Sequence, residues 1–218
     1  MAARRDALPC PNSDLLRQLR QMDVPVAFLF SRYDEPKDAP LIGEDNFGGA
    51  QQLVALLHRQ GHRRIAGIFR WDSARGIRRY QGYLHGCGEN RILFQEDDIL
   101  WISEQEEMRI LEGDTSLLSR FLATALRECT AVICQNDEIA HRVMRLLRRA
   151  ERRPAVVSFD NSFYAAAEGI TSLGHLPGAV GEAAARILLS LMAKKTPRSV
   201  SLPWQLAERD SSIQLVTP

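Results

Sequence analysis

Short apolar runs alternate with amphipathic stretches along the whole chain, and this alternation restricts the fold more than any other feature. The runs fall at residues 24–30, 64–69, 99–102, 131–134 and 155–159, with weaker ones at 199–202 and 213–216. They are too short for helices and read as strands. Between them, apolar residues recur at helical spacing. Residues 47–60 place Leu53, Val54, Leu56 and Leu57 on one broad face and stop at Gly61, a natural residue just past a helix end. Residues 77–84, 116–126, 138–149 and 180–192 follow the same pattern, and residues 14–22 read as a helix leading into the first strand. Alternating strands and helices build a parallel sheet with crossover helices, hence an α/β fold. One strong strand precedes Gly61 and several follow it, so the first part of the chain reads as short of strands.

Charge and cysteine usage narrow the function classes. Among 218 residues, Lys and Arg number 28 against 27 Asp and Glu, a net charge of +1. That removes the bulk electrostatic argument for coating nucleic acid. The longest apolar run, 24–30, is far short of the roughly 20 residues a bilayer span needs. The basic start at residues 1–6 has no apolar stretch behind it, so it does not read as a secretion signal, and the chain is expected in the cytoplasm. Cys10, Cys87, Cys129 and Cys134 include no C-x-x-C pair, and His85-Gly86-Cys87 has no second half for a zinc site. Free thiols, no metal, no disulfide and no cofactor are the expectation.

In open parallel sheets, ligands bind outside the carboxyl ends of the strands. The residues after each run are therefore the ones to read. They are Ser31-Arg32-Tyr33-Asp34, Arg70-Trp71-Asp72-Ser73 with Arg79 two turns on, Ser103-Glu104, Gln135-Asn136-Asp137 and Asp160-Asn161-Ser162. Carboxylates accept from neighbouring hydroxyls, a guanidinium donates two bonds in one plane, and an indole covers the apolar face of a sugar ring. The set suits a small polyhydroxylated ligand better than a phosphate. Taken singly, Asp72, Asn136 and Asp160 also suit helix caps.

Other constellations are weak. The glycine-rich stretch 174–181 lacks both dinucleotide and P-loop spacing, and no G-x-S-x-G elbow occurs. Asp97-Asp98 and Glu106-Glu107 read as solvated charges, and His58 and His62 flank a helix end. Arg142, Arg145, Arg148, Arg149, Arg152 and Arg153 trace one side of a helix, a solvated face by default, with phosphate contact as the sharper alternative. No catalytic constellation emerges, so the chain is not read as an enzyme.

The segments Asp45-Asn46-Phe47-Gly48-Gly49-Ala50, Gly61-His62-Arg63-Arg64-Ile65-Ala66, Arg79-x-x-Gly82-Tyr83, residues 133–140, residues 157–161 and the tail Pro203-x-x-Leu206-x-x-Arg209-x-Ser211 stand in a familiar order. Together they resemble the effector-binding core of the lactose/galactose-repressor (LacI/GalR) superfamily over nearly the whole chain. Residues 67–76 are similar to the narrower group of arabinose-responsive repressors, which join a winged-helix (GntR-type) domain to this core. The resemblance implies two Rossmann-like lobes of the periplasmic-binding-protein type I, closing on a sugar. The N-terminal lobe would comprise residues 1–61 with 174–218 and the C-terminal lobe residues 62–173. Crossovers would fall near Gly61-His62, near 171–175 and near 206–211. Ligand contacts carry over to Arg79, Asn136 and Asp160, then to Asp72 and Trp71, and more loosely to Tyr33 and His175.

Two departures from the family pattern accompany this. No DNA-binding domain precedes the core, and the first strands of the N-terminal lobe are missing, so an N-terminally truncated lobe is expected. The implied function is the ligand-sensing and dimerisation part of a sugar-responsive regulator, a repressor with a pentose such as L-arabinose favoured. Its implied partners are a sugar effector, a second copy in a homodimer and, only through an absent N-terminal domain, operator DNA, with no membrane. The alternative is a sugar-binding module of a transport or chemotaxis system.

Overall fold

Runs rich in β-branched residues suit strands buried on both faces. In a computed structural model of the chain, which describes residues 12–31, 38–148, 150 and 153–213, the runs at 99–102, 131–134 and 155–159 are strands with those bounds. The chain order is α1 (Ser13–Gln21), β1 (Phe28–Leu29), β2 (Leu41–Glu44), α2 (Asn46–Arg59), β3 (Ile65–Arg70), α3 (Ala74–Glu89), β4 (Ile99–Ile102), α4 (Glu104–Glu112), α5 (Ser116–Ala125) and β5 (Ala131–Cys134). There follow α6 (Asp137–Leu147), β6 (Ala155–Phe159), α7 (Phe163–Glu168), β7 (Thr171–Gly174), α8 (Ala179–Met192), β8 (Val200–Leu202) and β9 (Gln205–Ala207).

The strands form two sheets. The larger has the order β4-β3-β5-β6-β7-β9, parallel except for β9, which runs antiparallel to β7. The smaller is parallel, with β2 between β1 and β8. Side chains of the large sheet alternate between two cores. Ala66, Ile68, Val132 and Val156 meet α4, α5 and α6, while Ile65, Phe69, Ile133 and Val157 meet α2 and α3. A separate small core joins Ile42, Ile187 and Leu202.

This packing displaces the lobe boundary drawn at residue 61. Ala50, Leu53, Val54 and Leu57 of α2 lie in the core of the large sheet, so the chain leaves the small sheet at Glu44–Asn46. It returns after β7, which is itself a strand of the large sheet, and crosses again between β8 and β9. Of residues 174–218, α8 and β8 go with the small sheet and β9 with the large one. The weak run 213–216 shows no strand at Ile213, which follows a 3-10 turn at Asp210–Ser212, and its remaining residues lie outside the described ones.

Two carboxylates expected in solvent are buried. Asp98 receives Arg64 Nε at 3.0 Å, and Glu107 receives Arg70 Nη1 at 3.1 Å. The helix α4 around Glu107 is fixed by a capping box in which Ser103 and Glu106 satisfy each other's backbone N–H. Cys87, Cys129 and Cys134 are free and buried, whereas Cys10 lies outside the described residues.

The α2–α3 crossing depends on Gly82, where a Cβ would run into the Phe47 carbonyl. Gly82→Ala is expected to force the helices apart at a cost of roughly 1–3 kcal/mol. In calorimetry this is a fall in Tm of about 3–10 °C, and an unchanged Tm contradicts it.

Candidate functional site

Four crossing or strand-end segments meet at one side chain. Arg79 projects from α3 and is 1% exposed. Tyr83, one turn on, anchors that helix by donating from its hydroxyl to the Ile65 carbonyl at 2.7 Å. Arg79 Nε donates to Asn46 Oδ1, at the start of α2, at 2.8 Å, and Nη1 donates to the Gln135 carbonyl after β5. Its guanidinium carbon stands 3.9 Å from the centre of the Phe159 ring, at the end of β6, a cation–π contact. Nη2 lies 3.7 Å from Glu44 Oε2 and 3.9 Å from Asp160 Oδ1.

The acceptors around it come from both sheets. Glu44 ends β2 of the small sheet, and its Oε1 lies 3.2 Å from Nε2 of His175, which follows β7. The His175 ring stacks on Trp204 at 4.4 Å and 18°, and Trp204 Nε1 donates to the Asp45 carbonyl at 2.7 Å. Asp160 sits in the left-handed region at φ 102°, followed by Asn161 at φ 47°. Adjacent non-glycine residues there store backbone strain of the kind found at ligand sites. The turn closes tightly on β7, since a Cβ on Gly174 would stand 2.5 Å from that of Asn161. The low-dielectric walls push the Asp160 carboxyl above its ordinary range, and Arg79 and Arg75 oppose this only in part. Its side chain is still 43% exposed, so it is recessed but open.

The structure thus brings together three of the residues singled out from sequence: Arg79, Asp160 and His175. Asp72 and Asn136 belong to an adjoining network. Asp72 accepts from Arg70 Nε at 2.9 Å and from the Glu104 backbone N–H at 2.8 Å. Asn136 accepts from the Ile139 N–H at 2.9 Å and donates to Glu107 at 2.6 Å. Their polar atoms are engaged in helix capping and in a buried ion cluster, where burial raises the Glu107 carboxyl against the pull of Arg70 and Asn136. Trp71 is 57% exposed at the end of β3, and Tyr33 lies outside the described residues. On the basic stretch, Arg142 donates to the Leu111 carbonyl at 2.5 Å and Arg148 pairs with Glu168 at 2.8 Å, while Arg149 and Arg152 lie outside the described residues.

A cavity of about 460 Å³ between α1 and α8, lined by Arg20, Val26, Pro40 and Leu191 among others, shares no residue with the Arg79 cluster. Among the described residues no group of three or more His, Cys, Asp or Glu could hold a metal ion, and no helix is long and apolar enough to cross a membrane.

Residues 54–212, which carry the whole large sheet with Arg79, Gln135, Phe159 and Asp160 but not Glu44 and Asn46, match the family described as the periplasmic binding protein-like domain. The chain belongs to that family. It is 26% identical over 198 residues to the arabinose metabolism transcriptional repressor of Halalkalibacterium halodurans, covering 88% of this chain and 52% of the relative. The repressor of the same name from Geobacillus stearothermophilus is 26% identical over 193 residues, covering 85% and 52%. The chain spans about half the length of these curated relatives. Among solved structures, the transcriptional regulator CelR–cellobiose complex superposes with a TM-score of 0.77 at 25% identity, covering 90% of this chain and 62% of the other.

In this periplasmic binding protein-like domain, the sequence reading missed Glu44, Asn46, Arg75 and Trp204. Glu44 and Asn46 were hidden because β2 carries too few apolar residues to register as a strand. The signal that could have found them is their position: both flank a strand end, as do Arg79's other partners. Trp204 lies in the short link from β8 to β9, a segment with no periodicity of its own.

Proposed function

We propose that this periplasmic binding protein-like domain is the effector-sensing part of a sugar-responsive transcriptional regulator, a repressor whose effector is a pentose such as L-arabinose. One observation carries the reading. A buried guanidinium, Arg79, meets two carboxylates, Glu44 and Asp160, from strand ends of the two sheets. Forked donors and paired acceptors recognise neighbouring hydroxyls. The arabinose metabolism repressors and the cellobiose-bound regulator support the same ligand class.

The small lobe comprises α1, β1, β2, α8 and β8, and the large lobe the remaining elements. Closure of the lobes on the sugar is the hinge-type change that the regulator transmits. The working form is a homodimer in the cytoplasm, and contact with operator DNA belongs to the length of the relatives that this chain does not span. Binding rather than catalysis fits the thiols, because burial pushes Cys87 up to about 11 and Cys129 up to about 12, far from a reactive thiolate.

Calorimetric titration of L-arabinose, D-ribose and D-xylose tests the reading. At least one is expected to bind saturably and raise Tm, and the absence of binding by all three at millimolar concentration overturns it. Trp71→Ala is expected to weaken that binding a few-fold to about tenfold through lost ring contact. Arg148→Ala, which removes an exposed ion pair, is expected to leave affinity unchanged.

A further inference from the structure

Among the described residues, Glu44 is the one carboxylate of the cluster contributed by the small sheet, and its surroundings are unbalanced. The side chain is 4% exposed. Oε1 faces His175, but Oε2 is buried with no hydrogen-bond donor. The nearest cationic nitrogens, Arg79 Nη2 at 3.7 Å and Arg75 Nη1 at 3.8 Å, supply attraction from beyond hydrogen-bonding distance. A buried carboxylate oxygen left in this state carries a desolvation cost that a ligand donor removes.

The gap has a definite chemistry. A group lodged between Glu44 Oε2 and Arg79 Nη2 must donate to the first and accept from the second. A hydroxyl does both on one atom, and neither an ammonium nor a phosphate oxygen does. The arrangement repeats on the other side of the same nitrogen, where Asp160 Oδ1 stands 3.9 Å away. Carboxylate, guanidinium and carboxylate thus stand in a row, a spacing that suits hydroxyls on neighbouring carbons.

We propose that Glu44 is a specificity-determining residue of the cleft: with Arg79 and Asp160 it reads two adjacent hydroxyls of a neutral sugar and rejects anionic derivatives. The proposal rests on the reading of the cleft as a sugar site. Charge supports the second half of it. Among the described residues, the carboxylates Glu44 and Asp160 stand against the guanidiniums Arg75 and Arg79, a balance that suits a neutral ligand. An anion placed in either gap faces a carboxylate oxygen with nothing to donate. Because Glu44 alone comes from β2, its bond to the ligand also ties the small sheet to the large one.

A purely structural Glu44, serving only as an ion-pair partner of Arg75, Arg79 and His175, predicts a different result. Its loss lowers stability and affects all sugars alike. The test is calorimetric titration of wild type and Glu44→Gln with whichever of L-arabinose, D-ribose or D-xylose binds wild type best. The same sugar's monodeoxy derivatives and its 5-phosphate complete the series, and a melting scan confirms that the variant is folded. Wild type is expected to lose about tenfold or more for one deoxy derivative and for the 5-phosphate. Glu44→Gln is expected to weaken the parent sugar about tenfold yet bind that same deoxy derivative within about twofold of wild type. Equal weakening across the whole series, parent affinity unchanged in the variant, or wild type accepting the 5-phosphate as well as the sugar overturns this proposal and leaves the sugar site standing. The deoxy series on wild type alone decides the point if the variant does not fold. Binding of none of the three parent sugars to wild type overturns both readings.

Discussion

Arg79→Ala is expected to weaken sugar binding about a hundredfold or more and to lower Tm by roughly 5–10 °C. The affinity follows from geometry. One planar group serves the Asn46 side chain and the Gln135 carbonyl while lying between Glu44 and Asp160. Alanine removes the buried donor fork that stands between those carboxylates and leaves Arg75 as the guanidinium near them. Losing one partner of a buried charge pair costs about 3–5 kcal/mol. The stability loss is smaller, roughly 2–3 kcal/mol by the same rule. Asp160 is partly open to solvent, and Glu44 keeps Arg75 and His175. Arg79→Lys separates the two effects. It retains a charge but not the planar fork, so Tm is expected to recover more than affinity does. A folded Arg79→Ala chain that binds the sugar within threefold of wild type contradicts the assignment of Arg79.

The residues of this site differ in how far sequence alone reveals them, and the reason is physical. β5 and β6 are buried on both faces, so their sequences are continuous apolar runs, and the polar residues after them stand out. Asp160 was legible for that reason, and Arg79 through its place in a family motif. β7 is buried too, but Thr171 and Ser172 occupy it. Their hydroxyls donate to the Arg209 carbonyl at 2.7 Å and to Asp137 at 2.7 Å, so a polar strand is hidden by its own hydrogen bonds. The same holds for charges. Asp98 and Glu107 read as solvated because their partners, Arg64 and Arg70, lie far away in sequence. Glu44 and His175 meet across the crossing between the lobes, 131 residues apart, a separation no local periodicity reports.

Asp137→Ala is expected to be strongly destabilising, by roughly 2–4 kcal/mol, or about 5–15 °C in Tm. Asp137 opens α6 and is 1% exposed. It accepts from the hydroxyls of Ser158 and Ser172 and from the Ser162 backbone N–H, the last at 2.6 Å. These groups belong to β6, β7 and the start of α7, so one carboxylate ties together the strand ends that present Asp160. Alanine leaves three donors without their acceptor, two of them on fully buried side chains. Burial nevertheless raises the carboxyl above its ordinary value of 3.8, and the three donors only partly counter it. The folded state therefore holds the proton more tightly than the unfolded chain does. This contribution is fully present below the ordinary carboxylate value and is lost as pH rises through the folded one. The deficit of Asp137→Ala relative to wild type is accordingly expected to be largest near and below the ordinary carboxylate value and to shrink as pH rises above it. Urea unfolding of both proteins at about pH 4 and about pH 8 measures it. A deficit below about 1 kcal/mol at both values shows that Ser158, Ser162 and Ser172 find other partners. One that grows with pH shows that the donors, and not burial, govern the Asp137 carboxyl.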